Sequence, residues 1–466
     1  MSDALDPRLA RAIEPVRAAV PGDDLWLVGG AVRDVLLGRP LTDWDLVTTG
    51  DAEVAARAYA KAVGAPVFPL SERHGAWRVV GEDHEVDITG APDGITADLL
   101  RRDLTINAIA VHLSSGDVMA VPGALDDIEA RVLRAVSDQS FRDDPLRLLR
   151  LVRLAAELDL EIDPETITLA RRDAVHAAEP AGERQRAELE RILLARDPVD
   201  GLRRLDDLGL LAVVLPEVKA LEGVQQNRYH HLDVLDHTLQ VLDAAVDLIE
   251  HPEFAFGPAT PAVAAALAEE LDADTDVAMA VRWGALLHDI AKPVTRHEFD
   301  NGHIGFPGHA QQGADTATAI LARLRYSTAM QRCVAVLVHE HLRLGFLVPD
   351  GDLDPRAVHR YRVETDPWAI ASVVVSLADR WSTRGTRARQ RWIRRHEQLA
   401  AAMALALSVA PPAPLIRGDD LAAALGETPG PRLGRLLAHI AEEQVAGTIA
   451  TADEAIAFAR TVPLDD

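Results

Sequence analysis

The stretch LVGGAVRDVLLGRPLTDWD, residues 27–45, constrains the fold of this chain more than any other. Residues 25–28 are apolar and predict a short strand, and the apolar spacing over residues 31–37 predicts a helix. Gly29 and Gly30 lie between them and predict a tight turn. Because glycine has no Cβ, backbone N–H groups at the start of this helix can approach an anion closely. The sequence therefore predicts a strand, turn and helix that bind an anion such as a triphosphate.

A second strand, predicted over residues 43–47, carries two aspartates. Side chains alternate across a strand, so Asp43 and Asp45 are expected on one face. Two carboxylates beside a phosphate site are suited to hold the divalent ions of a phosphoryl or nucleotidyl transfer. Arg33, one turn into the preceding helix, adds a forked and permanently charged donor.

Each part also has a plainer explanation, because a Gly-Gly pair is often only a turn and Asp-x-Asp often only a solvated strand face. The joint pattern GGxVRDxLLGR followed by DxD resembles the signature of class II template-independent nucleotidyltransferases. These belong to the DNA polymerase β superfamily and include CCA-adding enzymes and bacterial poly(A) polymerases. The resemblance implies that Asp43 and Asp45 are catalytic and bind Mg²⁺, and that Gly29, Gly30 and Arg33 contact the incoming nucleotide.

Composition narrows the class of protein. A chain of 466 residues with 48% hydrophobic and 4% aromatic residues predicts two to four helix-rich globular domains. No apolar run reaches membrane-spanning length and no leader pattern begins the chain, so the prediction is a cytoplasmic protein without membrane association. The single cysteine, Cys333, excludes an internal disulfide framework. A net charge of −25 opposes unspecific coating of nucleic acid but allows a defined arginine-lined groove, and arginines gather in residues 131–204 and 380–395.

The string RRDLTINA, residues 101–108, resembles the second motif of the same family. The resemblance implies that Arg102 contacts the nucleotide phosphates and that Asp103 and Asn107 organise the sugar and metal side of the pocket. The plainer alternative is a capped helix start. Asp87, on a predicted strand over residues 85–89, is a candidate third carboxylate, and a solvent-facing aspartate is an equally good interpretation.

The segment FRDDPLRLLRLVR, residues 141–153, carries the argument on nucleotide choice. Asp144 and Arg147 are an acceptor and a donor three residues apart, and cytosine and adenine each present an amino donor beside a ring-nitrogen acceptor. Uracil and guanine present the reverse, which would leave buried polar groups unpaired at roughly 1–3 kcal/mol each. The segment resembles the family's EDxxR motif, which implies that Arg150 and Arg153 are further nucleotide contacts. The alternative is a simple N-cap before Pro145, and the leading glutamate of the motif is an aspartate here.

Histidines dominate the next region. His237, the doublet His288-Asp289 and the distant Asp379 resemble the metal ligands of the HD phosphohydrolase superfamily, with His309 and His339 as partners at a second ion. The resemblance implies a site that binds a divalent metal and hydrolyses phosphate esters or 2′,3′-cyclic phosphates. Because imidazole is a ligand, a transition metal is favoured over Mg²⁺ alone. Taken singly, each histidine is more simply a structural residue.

The expected architecture is an α+β polymerase-β-like head with a mixed or antiparallel sheet, followed by helical neck, HD and tail regions in a mostly helical, elongated chain. The predicted boundaries are 1–136, 137–223, 224–395 and 396–466. The sequence of residues 205–218 predicts one apolar helix ended by Pro216.

The predicted function is addition of CMP, CMP and AMP to the 3′ end of tRNA from CTP and ATP. The alternatives are a poly(A) polymerase, a partial enzyme that adds only C or only A, and an HD phosphohydrolase with a nucleotide-binding head. The sequence predicts no oligomeric state.

Overall fold

The computed structural model describes residues 6–19, 24–40, 44–71, 75–81, 85–226, 231–347, 353–385 and 390–462. The chain divides into two compact units. Unit 1 comprises residues 1–196 and 200–214, and unit 2 comprises residues 197–199 and 215–466. The finer four-part division stays a prediction.

A seven-stranded sheet forms the centre of unit 1. Its strands are β1 (Leu25–Val28), β2 (Trp44–Thr48), β3 (Val67–Ser71), β4 (Ala76–Val80), β5 (Glu85–Gly90), β6 (Ile109–His112) and β7 (Val118–Ala120). Their order is β3-β4-β5-β2-β1-β6-β7, and β2 pairs with β5 in parallel whereas the other neighbours are antiparallel. The expected mixed sheet is therefore confirmed, and β1 and β2 lie side by side near its middle.

Helices pack on this sheet and begin and end at recognisable residues. They are α1 (Pro7–Ala19), α2 (Gly30–Leu36), α3 (Ala52–Val63), α4 (Ile95–Leu100) and α5 (Ala124–Ala130), with a 3₁₀ turn at Thr105–Asn107. The Asp51 carboxylate caps α3 by accepting from the amides of Glu53 and Val54. Gly64 ends α3 in the left-handed conformation, with φ of +70°.

The rest of unit 1 is mostly helical. It contains α6 (Ser140–Asp143), α7 (Leu146–Leu158), α8 (Pro164–Asp173), α9 (Gly182–Leu193), α10 (Pro198–Asp207) and α11 (Leu211–Val214), a 3₁₀ helix at Ala174–Ala178, and the short parallel strands β8 (Val132–Leu133) and β9 (Glu161–Ile162). The single helix predicted over residues 205–218 is wrong. Gly209 has φ of +76°, which no residue inside a continuous α-helix adopts, so the helix is interrupted at this position.

Unit 2 is built from helices around one that is buried on every side. Its elements are α12 (Pro216–Lys219), α13 (Val234–Glu250), α14 (Glu253–Phe256), α15 (Thr260–Leu267), α16 (Val277–Leu287), α17 (Lys292–Thr295), α18 (His309–Arg323), α19 (Thr328–Glu340), α20 (Arg343–Leu347), α21 (Pro355–Thr365), α22 (Ala369–Ser382), α23 (Gln390–Leu407), a 3₁₀ turn at Gly257–Ala259, and the hairpin strands β10 (His297–Glu298) and β11 (Ile304–Gly305). Ten of the eleven residues of α16 are buried, which is typical of a central helix. Helices α13, α19 and α22 pack around it.

Three last helices form a small bundle with a core of its own. They are α24 (Gly418–Leu425), α25 (Pro431–Val445) and α26 (Ala452–Ala459). The buried side chains of this core, from Ile416 to Ala459, all come from the bundle itself. Salt bridges from Arg356 and Arg360 of α21 to Glu443 and Glu442 of α25 join the bundle to the rest of unit 2. No helix among the described residues combines the length and the apolar character needed to cross a membrane.

Candidate functional sites

The turn after β1 forms a cradle lined by a guanidinium and a carboxylate. Gly29 has φ of +68° and ψ of −132°, a conformation open in practice only to glycine. A Cβ on Gly29 would overlap Arg102 Nη1 and would lie 3.7 Å from Asp45 Oδ2. Gly30 is the first residue of α2, so the unpaired amides of that helix start face the same turn. The structure thus brings Gly29, Gly30, Arg102 and Asp45 together, as the sequence predicts.

The carboxylates next to this cradle lie on neighbouring strands. Asp45 of β2 pairs in parallel register with Asp87 of β5, so both side chains project from the same face. Two bonds of 2.8 Å from the Arg78 guanidinium bind the Asp87 carboxylate, which neutralises its charge. Asp43 lies outside the described residues, so the paired-aspartate arrangement stays a prediction.

A chain of buried polar contacts connects the cradle with α7. Arg33 is only 8% exposed, and its Nη1 donates to Asn107 Oδ1 at 2.7 Å. The other end of the same amide, Asn107 Nδ2, donates to Asp103 Oδ1 at 3.0 Å. The second oxygen of Asp103 lies 2.9 Å from Arg150 Nε of α7. Four predicted nucleotide-binding residues therefore belong to one network.

Electrostatics keeps this network charged. Burial raises the pKa of Asp103, but the Arg150 guanidinium and the Asn107 amide outweigh burial and leave that pKa below its ordinary value. Asp103 in turn raises the pKa of Arg150, with a smaller contribution from Asp45. The Arg150 side chain remains 43% exposed, which leaves part of its guanidinium accessible to a ligand.

The two predicted base-reading residues lie at the start of α7. Asp144 Oδ2 accepts from Arg184 Nη2 of α9 at 2.9 Å. Arg147 donates to two carbonyl oxygens, that of Arg101 at 2.7 Å and that of Ser140 at 3.1 Å. The contact with Arg101 ties Arg147 to the residue next to Arg102 of the cradle. Sequence reasoning did not foresee Arg184 as the partner of Asp144, because that contact joins residues forty positions apart.

Arg153 lies deeper in unit 1 than the other predicted nucleotide contacts. It is 4% exposed, and its guanidinium binds Glu188 at 2.5 Å and Glu157 at 2.8 Å. The contact with Glu188 joins α7 to α9, and the contact with Glu157 lies within α7. A nucleotide contact by Arg153 stays a prediction.

The four predicted HD residues meet in unit 2, at the ends of α13, α16 and α22. His237 Nε2 lies 3.1 Å from Asp379 Oδ1, and His288 Nε2 lies 3.0 Å from Asp289 Oδ2. The two histidine rings are 5.4 Å apart. Candidate metal-ligating atoms of His237, His288 and Asp289 all lie within 4.8 Å of one another.

A second group of ligating atoms shares Asp289 with the first. It consists of Asp289, His309 and His341. His309 Nε2 and His341 Nε2 lie 3.6 Å and 3.9 Å from Asp289 Oδ1, whereas His288 approaches Oδ2. One buried carboxylate therefore lies between two sets of imidazoles.

The hydrogen bonds of these imidazoles define their tautomers. The Nδ1 atoms of His288, His309 and His341 lie 2.8, 2.7 and 2.6 Å from the carbonyl oxygens of Ala285, Phe306 and Val338. A carbonyl oxygen only accepts, so Nδ1 carries the proton in each ring. When a ring is neutral, its Nε2 is then a lone-pair donor on the side of Asp289, as in a metal-ligating histidine held by a backbone carbonyl.

The chemistry of this cluster fits divalent cations. Among the described residues, His288 Nε2, His309 Nε2 and Asp289 Oδ1 are buried and have no hydrogen-bond partner. Burial lowers the pKa of His309 and lowers that of His341 to about 4, so both rings are neutral at pH 7, as metal binding requires. Burial opposes ionisation of Asp289, but His288 and Lys292 hold its pKa well below the ordinary value.

The second group corrects one expectation. His339 does not belong to it: its Nδ1 lies 2.5 Å from Glu340 Oε1, and its side chain is 41% exposed. His341 takes that place because it continues the buried face of α19, four residues after Leu337, whereas His339 points away. The apolar spacing before His341 was the sequence signal that could have identified it.

A lysine that sequence reasoning missed completes the cluster. Lys292 is 5% exposed, and its Nζ lies 2.5 Å from Asp289 Oδ2 and 2.6 Å from Gln226 Oε1. The sequence feature that could have pointed to Lys292 is its position one helical turn after Asp289.

Comparison with known proteins finds family models along most parts of the chain. "Poly A polymerase head domain" matches residues 25–93 and 91–134, and "Probable RNA and SrmB-binding site of polymerase A" matches residues 159–221. "HD domain" matches residues 234–384, and "tRNA nucleotidyltransferase domain 2 putative" matches residues 310–459.

Similar proteins align over nearly the whole chain. The A-adding tRNA nucleotidyltransferase of Deinococcus radiodurans is 36% identical over 93% of this chain and 94% of its own. The CC-adding tRNA nucleotidyltransferase of Thermus thermophilus is 35% identical over 93% of both. The multifunctional CCA protein of an Acidovorax species is 35% identical over 72% of this chain and 76% of its own. A solved CCA-adding enzyme in complex with ATP shares the fold, with a TM-score of 0.66 at 20% identity over 98% of this chain and 97% of that chain.

Proposed function

Since the chain belongs to the tRNA nucleotidyltransferase and poly(A) polymerase family, we propose that it adds CMP, CMP and AMP to the 3′ end of tRNA without a template. CTP and ATP are the substrates, and pyrophosphate is released. The observation that carries the proposal is the cradle of Gly29, Arg102 and Asp45, in which any larger residue at position 29 would intrude on the Arg102 guanidinium beside Asp45. We further propose that the protein carries out this reaction in the cytoplasm.

In this mechanism the chain binds and orients the triphosphate. Arg102 and the amides at the start of α2 bind its phosphates, and the network of Arg33, Asn107 and Asp103 holds the cradle in register with α7. Asp45 and Asp43 would hold Mg²⁺, which would supply Lewis acidity to the transfer. In-line attack of the 3′-hydroxyl of the primer on the α-phosphorus then releases pyrophosphate.

The choice of base is assigned to Asp144 and Arg147. The carboxylate accepts from the amino group of cytosine or adenine, and the guanidinium donates to the adjacent ring nitrogen. Both side chains are held before the base arrives, Asp144 by Arg184 and Arg147 by two carbonyl oxygens. Such preorganisation lowers the cost of binding and sharpens rejection of UTP and GTP.

Nucleotide addition is tested on tRNA transcripts that end before C74, before C75 and before A76. We expect the protein to extend all three with CTP and ATP to the same end. Asp45→Asn should lower the rate by about 10²-fold or more because the metal-binding charge is lost. The exposed Asp126→Asn on α5 is the matched control and should keep full activity.

The outcomes of this assay separate the related activities. Addition of only CC or only A would show a partial enzyme, which is the activity named for the two relatives that align over 93% of the chain. Long tails made from ATP alone would refute tRNA end addition in favour of poly(A) synthesis.

Base selection has its own control. Arg147→Ala and Asp144→Ala should each narrow the preference for CTP over UTP by roughly 5- to 150-fold, the equivalent of about 1–3 kcal/mol per lost bond. Arg184→Ala removes the partner of Asp144 and keeps the base-reading carboxylate. It should change the preference less than Asp144→Ala does, and an equal loss would contradict direct base contact by Asp144.

We propose a second activity for unit 2, hydrolysis of phosphate esters or 2′,3′-cyclic phosphates. The observation in its favour is the pair of buried ligand groups that share Asp289. Imidazole nitrogens in both groups favour transition metals over Mg²⁺. Bound ions would supply Lewis acidity to the phosphate and to an attacking water. Lys292 keeps Asp289 ionised and oriented.

Metal content tests this second proposal independently of catalysis. The purified protein should hold about two transition-metal ions per chain by elemental analysis, and Asp289→Asn should lose most of both. His341→Ala should lose about one ion, and His339→Ala, the matched control two residues away, should lose none. Equal metal content in all four proteins, or hydrolysis of 2′,3′-cyclic AMP that persists in Asp289→Asn, would refute the assignment.

A further inference from the structure

One segment of unit 2 is strongly basic, although the chain as a whole is acidic. The protein has 73 acidic and 48 basic residues, yet the sixteen residues from Arg380 to Arg395 contain seven arginines and neither aspartate nor glutamate. The segment includes the end of α22 and the start of α23. Residues 386–389 lie outside the described part of the chain. Three exposed arginines of the segment lie in its described part: Arg384, Arg391 and Arg394.

These three arginines are exposed and unneutralised. Among the described residues, none of the three lies within ion-pair distance of a carboxylate, and their only hydrogen bond to protein joins Arg384 Nε to the Trp381 carbonyl oxygen. Elsewhere in the same unit exposed arginines form salt bridges, as Arg323 does with Glu217. In a chain with an excess of 25 negative charges, unpaired arginines on one short segment are not explained by intramolecular contacts.

The position of two of them works against the helix that carries them. Arg391 lies in the first turn of α23 and Arg394 in the next, and no acidic residue lies in that first turn. The N-terminal end of a helix carries partial positive charge, so a cation there is unfavourable by roughly 0.3–1 kcal/mol. Arg391 and Arg394 also repel each other at a spacing of three residues. A local rule broken in this way indicates a requirement outside the fold.

An aromatic side chain lies among these cations. The Arg391 guanidinium lies 5.0 Å from the centre of the Trp392 ring, and Trp392 is half-buried. Exposed arginine next to an aromatic ring is the combination that binds phosphates and stacks on bases in RNA-binding surfaces.

Acidic residues of α13 limit the basic surface around Arg384 on one side. Arg384 borders a cavity of about 270 Å³ whose α13 wall carries Asp243 and Asp247. These carboxylates would repel a phosphodiester chain. A polyanion is therefore expected to run over the start of α23 and not into the cavity.

We propose that Arg384, Arg391, Arg394 and Trp392, here called the arginine face, bind the sugar-phosphate backbone of the tRNA substrate. The proposal rests on the proposed function of tRNA 3′-end addition. The contacts are with phosphates, so they hold the RNA in place without reading its sequence. The acidic remainder of the surface disfavours RNA elsewhere and so helps to confine the RNA to such a face.

The test compares the binding of a tRNA transcript lacking its terminal CCA to full-length variants at several salt concentrations. Replacing all three arginines with alanine should raise the Kd by about tenfold or more at 0.1 M salt. It should also lower the slope of log K against log salt by about 2 to 3, because about 0.7 to 0.9 counterions are released for each phosphate contact. The rate at saturating tRNA and the KM for CTP should not change, since no residue of the face lies in the proposed active site.

Two controls make the result specific. A triple alanine variant at the exposed Arg332, Arg417 and Arg435 changes net charge equally and should shift the Kd less than threefold. The triple lysine variant of the arginine face keeps the charge and should retain most of the affinity. Equal losses in both alanine variants, or equal losses with lysine and alanine, would overturn the proposal.

The experiments distinguish an error in the proposed RNA-binding role of the arginine face from an error in the proposed function. If the wild-type protein adds nucleotides to tRNA and the alanine variant of the face binds tRNA as tightly as wild type, the face is wrong and the function stands. If the wild-type protein binds no tRNA and adds nothing to it, both are refuted.

Discussion

The buried salt bridges of Arg153 give a quantitative test of what joins α7 to α9. Arg153→Met keeps most of the side-chain volume but removes the guanidinium that binds Glu188 and Glu157. Glu157 keeps two bonds to Arg191, whereas Glu188 loses the only cation bound to it among the described residues. One carboxylate, with its side chain 12% exposed, is then left without its partner.

The expected cost follows from that remaining charge. Breaking a buried pair by removing one partner costs about 3–5 kcal/mol, because the other charge stays desolvated. At about 2–4 °C per kcal/mol for a unit of this size, the midpoint of unfolding of unit 1 should fall by roughly 6–20 °C. Thermal unfolding followed by circular dichroism measures this shift.

A second substitution separates the lost pair from lost packing. Arg153→Met combined with Glu188→Gln removes the uncompensated charge, so the double variant should recover more than half of the lost stability. If the double variant is as unstable as Arg153→Met alone, packing and not charge explains the loss. A large rise in the KM for CTP with little loss of stability would instead support the nucleotide contact predicted from the sequence and contradict the structural role.

Two further predictions concern the cradle and a buried histidine. Gly29→Ala should cost about 1–3 kcal/mol of backbone strain and raise the KM for CTP by displacing Arg102. Gly64→Ala, also at positive φ but with no atom within 4 Å of the new Cβ, should leave the KM for CTP unchanged. An equal effect of both substitutions on the KM would refute the cradle. Burial lowers the pKa of His396 from its ordinary 6.5 to about 4, so its contribution to stability is complete above pH 6.5 and is lost as the pH falls towards 4, because the unfolded chain takes up the proton first. Between pH 7 and pH 5, the free energy of unfolding of His396→Gln should therefore fall by about 2 kcal/mol less than that of the wild-type protein, as measured by urea unfolding. The same pH dependence in both proteins would contradict this prediction.

Local patterns predicted the parts of the site that depend on neighbouring residues. The strand, glycine turn and helix around Gly29 lie within one residue of their expected bounds, because apolar spacing and glycine act over a few positions. The one-face arrangement of Asp45 and Asp87 also follows from strand alternation. It needed the parallel pairing of β2 with β5, which joins residues about forty positions apart and has no local signal.

The missed residues share the same physical cause. Arg184 reaches Asp144 from another helix, and Arg78 neutralises Asp87 from the next strand. Neither partner is marked by spacing, since long-range pairing is chosen by the folded packing. His341 is different: its place on the apolar face of α19 was readable, and the choice of His339 overlooked the helical period.

The closed core of the α24–α26 bundle affects how the protein can be altered. Its buried side chains form a core of their own, and its joint to α21 includes salt bridges of Arg356 and Arg360, so weakening those salt bridges leaves the core of the bundle unchanged. Concentrated salt should loosen the joint before either side melts. The salt bridges to α21, and not the buried side chains of the bundle, are therefore the place at which an engineer can weaken or strengthen this attachment.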